Sequence, residues 1–144
     1  MKTVLYISLL LFIFGCGSEQ TLKPKSLSDL EKIMADTTNY SNIHWIDSIA
    51  DFGTIKEGEV IEVKFRFKNI GNKPLYITNV QAGCGCTSPD YSKEAIAPQQ
   101  EGWVKGIFNS LNQVGTVSKQ IKVITNSKNF SEHTLYFTGT VNNN

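Results

Sequence analysis

Between residues 62 and 68 the chain alternates without a break. Glu62, Lys64, Arg66 and Lys68 are charged, and Val63, Phe65 and Phe67 between them are apolar. Successive side chains of a strand point to opposite faces, so this stretch predicts a β-strand with one buried and one wet face. Period two then recurs along the chain. Trp45 to Ile55 reads as an earlier strand that ends at the turn Lys56-Glu57-Gly58-Glu59. Asn69 to Pro74 is a loop, Leu75 to Val80 a strand, and one short strand is expected near Ala95-Ile96. Gly102 to Phe108 follows, with Trp103, Lys105 and Ile107 on one side and Val104 and Phe108 on the other. Gly115 to Thr125 and Thr134 to Val141 are the last strands, joined by the turn Asn126-Ser127-Lys128-Asn129. No stretch after Asn42 has helical periodicity. Strands with turn signals at this spacing predict an all-β, two-sheet sandwich of about seven strands. Trp45, Trp103, Phe65, Phe67 and Phe137 are expected in or beside its core.

The segment before the sandwich has another character. Lys2 precedes an apolar run from Val4 to Phe14, broken only by Ser8. Eleven helical residues span about 16 Å, too short for a bilayer that needs about 20 residues. A short apolar run behind a basic residue is the pattern of a secretory signal peptide. The run ends Ile13-Phe14-Gly15-Cys16-Gly17-Ser18, which resembles a bacterial lipoprotein processing site. Cys16 would become the lipid-bearing N-terminus, and two or more acyl tails such as palmitate suffice for stable anchoring. Cleavage after residue 15 leaves 129 of the 144 residues. Lys2 goes with the leader, so thirteen basic and thirteen acidic side chains remain and the net charge is zero. Such a chain is held at a membrane by lipid, not by charge. Residues 16–42 are polar and read as a flexible tether, leaving 43–144 for the folded domain. Inside the tether Ser28-Asp29-Leu30-Glu31 matches a capping box, with Leu27, Leu30 and Met34 on one face of a possible short helix. Asp36-Thr37-Thr38 and Asp47-Ser48-Ile49 resemble short O-glycosylation sites, which makes Thr37 and Ser48 candidate acceptors.

Composition narrows the function classes. With 40% apolar and 19% charged residues the chain is too apolar for disorder. A formal charge of +1 gives no basic surplus for a phosphate backbone, so nucleic acid is not an expected partner. No phosphate loop, nucleophile elbow, zinc-protease helix or motif-placed carboxylate pair occurs. No catalytic activity and no cofactor are expected.

Four stretches resemble a known family. They are Asp51-Phe52-Gly53-Thr54-Ile55 with Glu57-Gly58, then Phe65 to Leu75 with its Asn69-x-Gly71-x-x-Pro74-Leu75 element, then Gly83-Cys84-Gly85-Cys86-Thr87, and then Val123 to Ser127. Together they resemble the bacterial domain-of-unknown-function 1573 family, itself similar to the immunoglobulin-like domains of major sperm protein and Hydin. The resemblance covers about the last hundred residues. It implies a sandwich fold and, since members are often secreted or lipoproteins, agrees with Cys16. It implies no reaction. Relatives with the sperm-protein fold act as interaction or scaffold modules, an analogy at the level of fold.

Cys84-Gly85-Cys86 is the chemical oddity. Residues i and i+2 of a strand lie about 6.6 Å apart, at the upper limit for a disulfide. Gly85 can shorten that gap. Three readings stand: a structural pair, as thiols or a local disulfide; a soft-metal site for copper or zinc; and a redox-active dithiol. Following strand directions along the chain puts the pair at one end of the sandwich, with the Glu57-Gly58 turn, the loop Ser110 to Gln113 and Asn142 to Asn144. His44 and His133 fall at the other end, where the tether arrives, so neither would complete a zinc site. The leading expectation is a lipid-anchored module of the bacterial cell envelope, at the outer membrane, that binds another envelope protein or a wall component. The alternative is a thiol-redox or copper-handling lipoprotein built on Cys84 and Cys86.

Overall fold

The computed structural model describes residues 26–128 and 130–143. A helix, α1 (Leu27–Ala35), and a 3-10 turn (Thr37–Asn39) precede eight strands. The helix is capped by Ser26, whose hydroxyl accepts from the Asp29 N–H at 3.3 Å. The cap therefore lies two residues before the expected Ser28. Ser28 is instead the second helical residue, and its hydroxyl bonds that of Ser26 at 2.7 Å.

The strands are β1 (Ile43–Trp45), β2 (Ile49–Lys56), β3 (Val60–Asn69), β4 (Ile77–Ala82), β5 (Thr87–Tyr91), β6 (Glu101–Asn109), β7 (Gly115–Thr125) and β8 (Glu132–Asn142). They form two four-stranded sheets, in the orders β1-β3-β6-β5 and β2-β8-β7-β4. The domain is the sandwich that the alternation predicts and the immunoglobulin-like fold that the family resemblance implies, with eight strands where about seven are expected. In β3, Val63, Phe65 and Phe67 are buried and the charged residues at 62, 64 and 66 are exposed. Phe65, Phe67, Phe108 and Phe137 have no exposed surface, nor have Val104, Ile121, Val123 and Leu135. Each buried side chain of this size contributes about 1.5–3 kcal/mol of hydrophobic stabilisation. Phe108 and Phe137, from opposite sheets, meet edge to face with ring centres 5.6 Å apart.

Two strand expectations need correction. Trp45 to Ile55 is two strands, not one. β1 pairs antiparallel with β3, and β2 then crosses to the other sheet and pairs parallel with β8. The change happens at Ile46 and Asp47, whose N–H groups both donate to the Arg66 carbonyl, at 2.9 and 3.2 Å, while the Arg66 guanidinium holds the Asp47 carboxylate at 2.8 Å. Gly53, at φ 71°, then bulges β2 and shifts its register against β8. The other correction concerns Ala95-Ile96. Ile96 makes only an isolated bridge to Leu75, and the strand lies earlier, at Thr87–Tyr91. Its Ser, Pro and Asp disguise it. Pro89 is tolerated because β5 is the edge of its sheet.

Trp103 also differs from expectation. It lies on the outward side of β6, with Lys64 and Lys105 Nζ at 6.0 and 4.9 Å from its ring centre. Trp45 does border the core, edge-on to Phe67 at 5.2 Å.

Candidate functional site

The registers define two poles. Val60 pairs with Asn109 and Gly115 with Val141 at one pole; Lys68 pairs with Glu101 and Ile77 with Thr125 at the other. We call the first upper and the second lower.

The lower pole is closed by two buried amides. Asn69 Oδ1 accepts from Ser41 Oγ at 2.7 Å and from the Gly71 N–H at 3.0 Å. Its Nδ2 donates to the carbonyls of Lys73 and Ile96, both at 2.8 Å. Asn126 Oδ1 accepts from the Tyr76 N–H at 2.8 Å, and its Nδ2 donates to the carbonyls of Asn39 and Pro74 at 2.8 and 3.1 Å. Every polar atom of both amide groups is thus satisfied, as burial requires. These bonds also bind Asn39 and Ser41, from the segment expected as tether, to the domain. The family-like Asn69-x-Gly71-x-x-Pro74 element is therefore the knot of this pole, a role that the sequence reading did not assign.

His44 and His133 both sit here, at β1 and β8 residues paired with Lys68 and Val123. His133 Nε2 lies 3.3 Å from Thr125 Oγ1 and 3.2 Å from Ser127 Oγ. Burial holds its imidazole below the ordinary value of 6.5, and a hydrogen bond to the Phe130 backbone offsets part of that. Ser127 is 4% exposed, and its hydroxyl donates to the Phe130 carbonyl. A buried hydroxyl so engaged is a structural partner of the histidine. Ser48 is exposed, and its carbonyl accepts from the Tyr136 N–H at 3.0 Å. The Thr37 side chain, the first fifteen residues and Cys16 lie outside the described residues.

The upper pole gathers the Cys turn and three other segments. The Glu57 N–H donates to the Asn142 carbonyl at 2.8 Å, and Glu57 Oε1 accepts from the Asn112 N–H at 2.9 Å. Buried Ser110 reaches the carbonyls of Lys56 and Glu59, both at 2.9 Å. The Asn109 N–H donates to the Cys86 carbonyl at 3.0 Å. Leu111 and Val114 in the β6–β7 loop are 56% and 51% exposed, and Val60 at the start of β3 is 61% exposed. A rigid sandwich thus carries apolar loop residues on one end, the usual arrangement of a binding surface.

Cys84 and Cys86 are joined by a disulfide, with their Cα atoms 5.3 Å apart. The pair does not lie on an extended strand. It occupies the turn between β4 and β5, the edge strands through which the chain passes from one sheet to the other. Turning at Gly83 and Gly85 brings the Cα atoms within the usual disulfide range. Both residues are half-buried; Cys86 packs against the core. Thr87 Oγ1 lies 3.6 Å from Cys84 Sγ and 3.9 Å from Cys86 Sγ. In this oxidised form neither sulfur is a thiolate that could ligate copper or zinc. Among the described residues no three His, Cys, Asp or Glu side chains converge on a possible metal position, and no helix is long and apolar enough to cross a membrane.

Comparison with known proteins adds to this geometry. Residues 43–141 match the family model described as "Protein of unknown function (DUF1573)". Among solved structures, a protein of unknown function from Porphyromonas gingivalis superposes with a TM-score of 0.64 at 13% identity, over 73% of this chain and 49% of that one. The PapD-like domain 7 of human CEP192 superposes with a TM-score of 0.51 at 13% identity, over 74% of this chain and 87% of that domain. The secreted serine protease VesC of Vibrio cholerae also gives 0.51 at 13% identity, over 81% of this chain. The chain spans about half the length of the Porphyromonas protein and only 26% of the protease. At such identities the likeness shows the fold alone. Comparison with curated proteins finds no significant match.

Proposed function

We propose, for a chain that belongs to the DUF1573 family of proteins of unknown function, that it is a lipid-anchored interaction module of the bacterial cell envelope. In this reading Cys16 carries the lipid at the outer membrane, the polar segment after it spaces the domain from the bilayer, and the upper pole binds an envelope protein or a wall component. The module acts by holding its partner.

The observation that carries this reading is the opposition of the two poles. The chain reaches the domain at the lower pole, where Ser41 and Asn39 are bonded to Asn69 and Asn126. The exposed Leu111 and Val114 and the Cys turn are at the upper pole, one strand length away. Ten residues of β3 span about 33 Å. A domain tethered at the lower pole therefore offers its apolar loops to a partner away from the membrane.

Site-specific photo-crosslinking in intact cells tests the reading. A photoreactive residue at Leu111 is expected to yield a discrete adduct, while one at Lys128, at the lower pole, yields none. Cys16→Ala is expected to abolish labelling by a clickable fatty acid and to lose the Leu111 adduct. Crosslinking from Lys128 alone would overturn the orientation, and equal fatty-acid labelling of wild type and Cys16→Ala would overturn the anchor.

A further inference from the structure

We propose that Cys84–Cys86 is an exchangeable disulfide, with Cys84 as the sulfur attacked by the thiolate of another protein, Cys86 as the leaving sulfur and Thr87 as the hydroxyl that positions and stabilises it. This activity goes beyond partner binding, and it stands or falls independently of the lipid anchor.

Three features of the turn favour exchange over a purely structural bond. The first is that the turn is secured without the sulfurs. The Gly83 N–H donates to the Gln120 carbonyl at 3.0 Å, the Asn109 N–H to the Cys86 carbonyl at 3.0 Å, and Thr87 begins the β5–β6 ladder opposite Phe108. A crosslink between residues two apart also closes a minimal loop, and the entropy that a disulfide removes from the unfolded chain grows with loop length. The fold consequently gains little from this bond and should survive its reduction.

The second feature is access. Both cysteines are half-buried, but Cys86 packs against the hydrophobic core and Cys84 does not. Between them, no atom beyond the two cysteines lies within 4 Å of the position that a Cβ on Gly85 would occupy. The turn is therefore open on the Cβ side of Gly85, and Cys84 is the sulfur less enclosed by the core.

The third is Thr87. It is only 5% exposed, and its hydroxyl lies within hydrogen-bonding reach of both sulfurs. A disulfide sulfur is a weak acceptor, whereas a thiolate is a charged one, and hydrogen bonds to charged acceptors are about twice as strong. The hydroxyl therefore stabilises the thiolate that forms when the bond breaks more than it stabilises the bond. A hydrogen bond that strengthens as charge develops on the departing sulfur makes that sulfur a better leaving group.

The step balances as follows. The partner thiolate forms a bond to Cys84 Sγ as the Sγ–Sγ bond breaks, and the electron pair departs on Cys86 Sγ, which accepts the Thr87 hydrogen bond. A second thiol of the partner, deprotonated, then attacks the partner's own sulfur in the mixed disulfide and releases Cys84 as a thiolate. The partner dithiol is oxidised to a disulfide, this chain's disulfide is reduced to a dithiol, and the two protons given up by the partner's thiols end on Cys84 and Cys86. The reverse sequence reoxidises the pair with a partner disulfide.

The test uses the full chain carrying Cys16→Ser, which removes the third cysteine, and reduced glutathione as the thiol probe. The oxidised protein is mixed with glutathione, quenched in acid and mapped by mass spectrometry. The mixed disulfide is expected on Cys84, and the reduced protein is expected to keep its near-ultraviolet circular dichroism. Thr87→Val, nearly isosteric but without the hydroxyl, is expected to slow reduction by about tenfold, and Thr87→Ser to restore the rate. Glutathione found mainly on Cys86, equal rates for wild type and Thr87→Val, or loss of the native signal on reduction would each overturn the proposal.

Discussion

At the scale of single residues, polar atoms buried at the lower pole govern as much as the aromatic core does. Asn69→Ala removes the donors to the Lys73 and Ile96 carbonyls and the acceptor for Ser41 and Gly71. Ser41 still reaches the Lys73 carbonyl at 2.8 Å and the Leu75 N–H still donates to that of Ile96 at 2.9 Å, so the Gly71 N–H is the group left without a partner, and a loss of about 1–3 kcal/mol is expected in urea unfolding at unchanged slope. An effect below 1 kcal/mol would mean that water replaces the amide. His133 makes a second prediction at this scale. Its pKa in the fold lies below the 6.5 of an exposed histidine because burial disfavours the charged ring. The unfolded chain then binds the proton more readily, so its contribution is complete above about pH 6.5 and is lost as the pH falls toward the folded value. The melting temperature of the wild type is expected to drop as the pH is lowered from 7 through and below 6.5, and His133→Gln, which keeps a partner for the two hydroxyls, to flatten that drop. An identical profile in the variant would assign the drop elsewhere. Neither residue announced its role in the sequence. An Asn in a loop looks the same whether solvated or buried, and the partners of Asn69 lie up to 28 residues away in the chain.

At the scale of elements, alternation was legible wherever a strand had one buried and one wet face. β3 and β6 follow their phase residue by residue, and Leu135, Phe137 and Val141 share the buried side of β8 as expected. Gly139 lies among them without a side chain, and the structure supplies the reason. The Phe52 ring of β2 lies directly against its backbone, in contact with Phe108 and Phe137 at ring-centre distances of 5.7 and 6.3 Å. Gly139→Ala forces that ring from its place and is expected to destabilise the domain by about 1–3 kcal/mol, as overpacking does. Phe52→Leu in the same chain should recover part of the loss; additive losses in the double variant would refute the steric account. What the sequence concealed were the departures from alternation. The sheet change after β1 depends on a carbonyl and a guanidinium of Arg66, nineteen residues beyond Asp47, and β5 is composed of residues that edges tolerate and central strands exclude.

At the scale of the molecule, strand directions along the chain are enough to separate the Cys turn from both histidines, because antiparallel connections leave few choices of pole. The oxidation state of the turn was not legible, since its extended geometry was assumed from period two and the chain instead turns at the glycines. The lower boundary of the folded unit also extends beyond the alternating pattern. A chain beginning at Ile43 lacks the Asn39 carbonyl, Ser41 and the bonds from Ser41 to Asn126 and Lys128. It is expected to be about 2–4 kcal/mol less stable than one beginning at Ser26, measured by urea unfolding. Equal stability would show that these contacts are dispensable. The sheet change has a mechanical consequence. β2 rises from the lower pole beside β8, which ends at the upper pole, and the two run parallel from Ile49 and Tyr136 to Lys56 and Asn142. A pull on the N-terminal segment downward and on the C-terminal end upward acts along this seam, not across it. The hydrogen bonds of the β2–β8 ladder then bear the load together in shear, where an antiparallel hairpin pulled open at its ends would lose them one at a time. A domain tied at one pole and loaded at the other is strong in the direction of the pull.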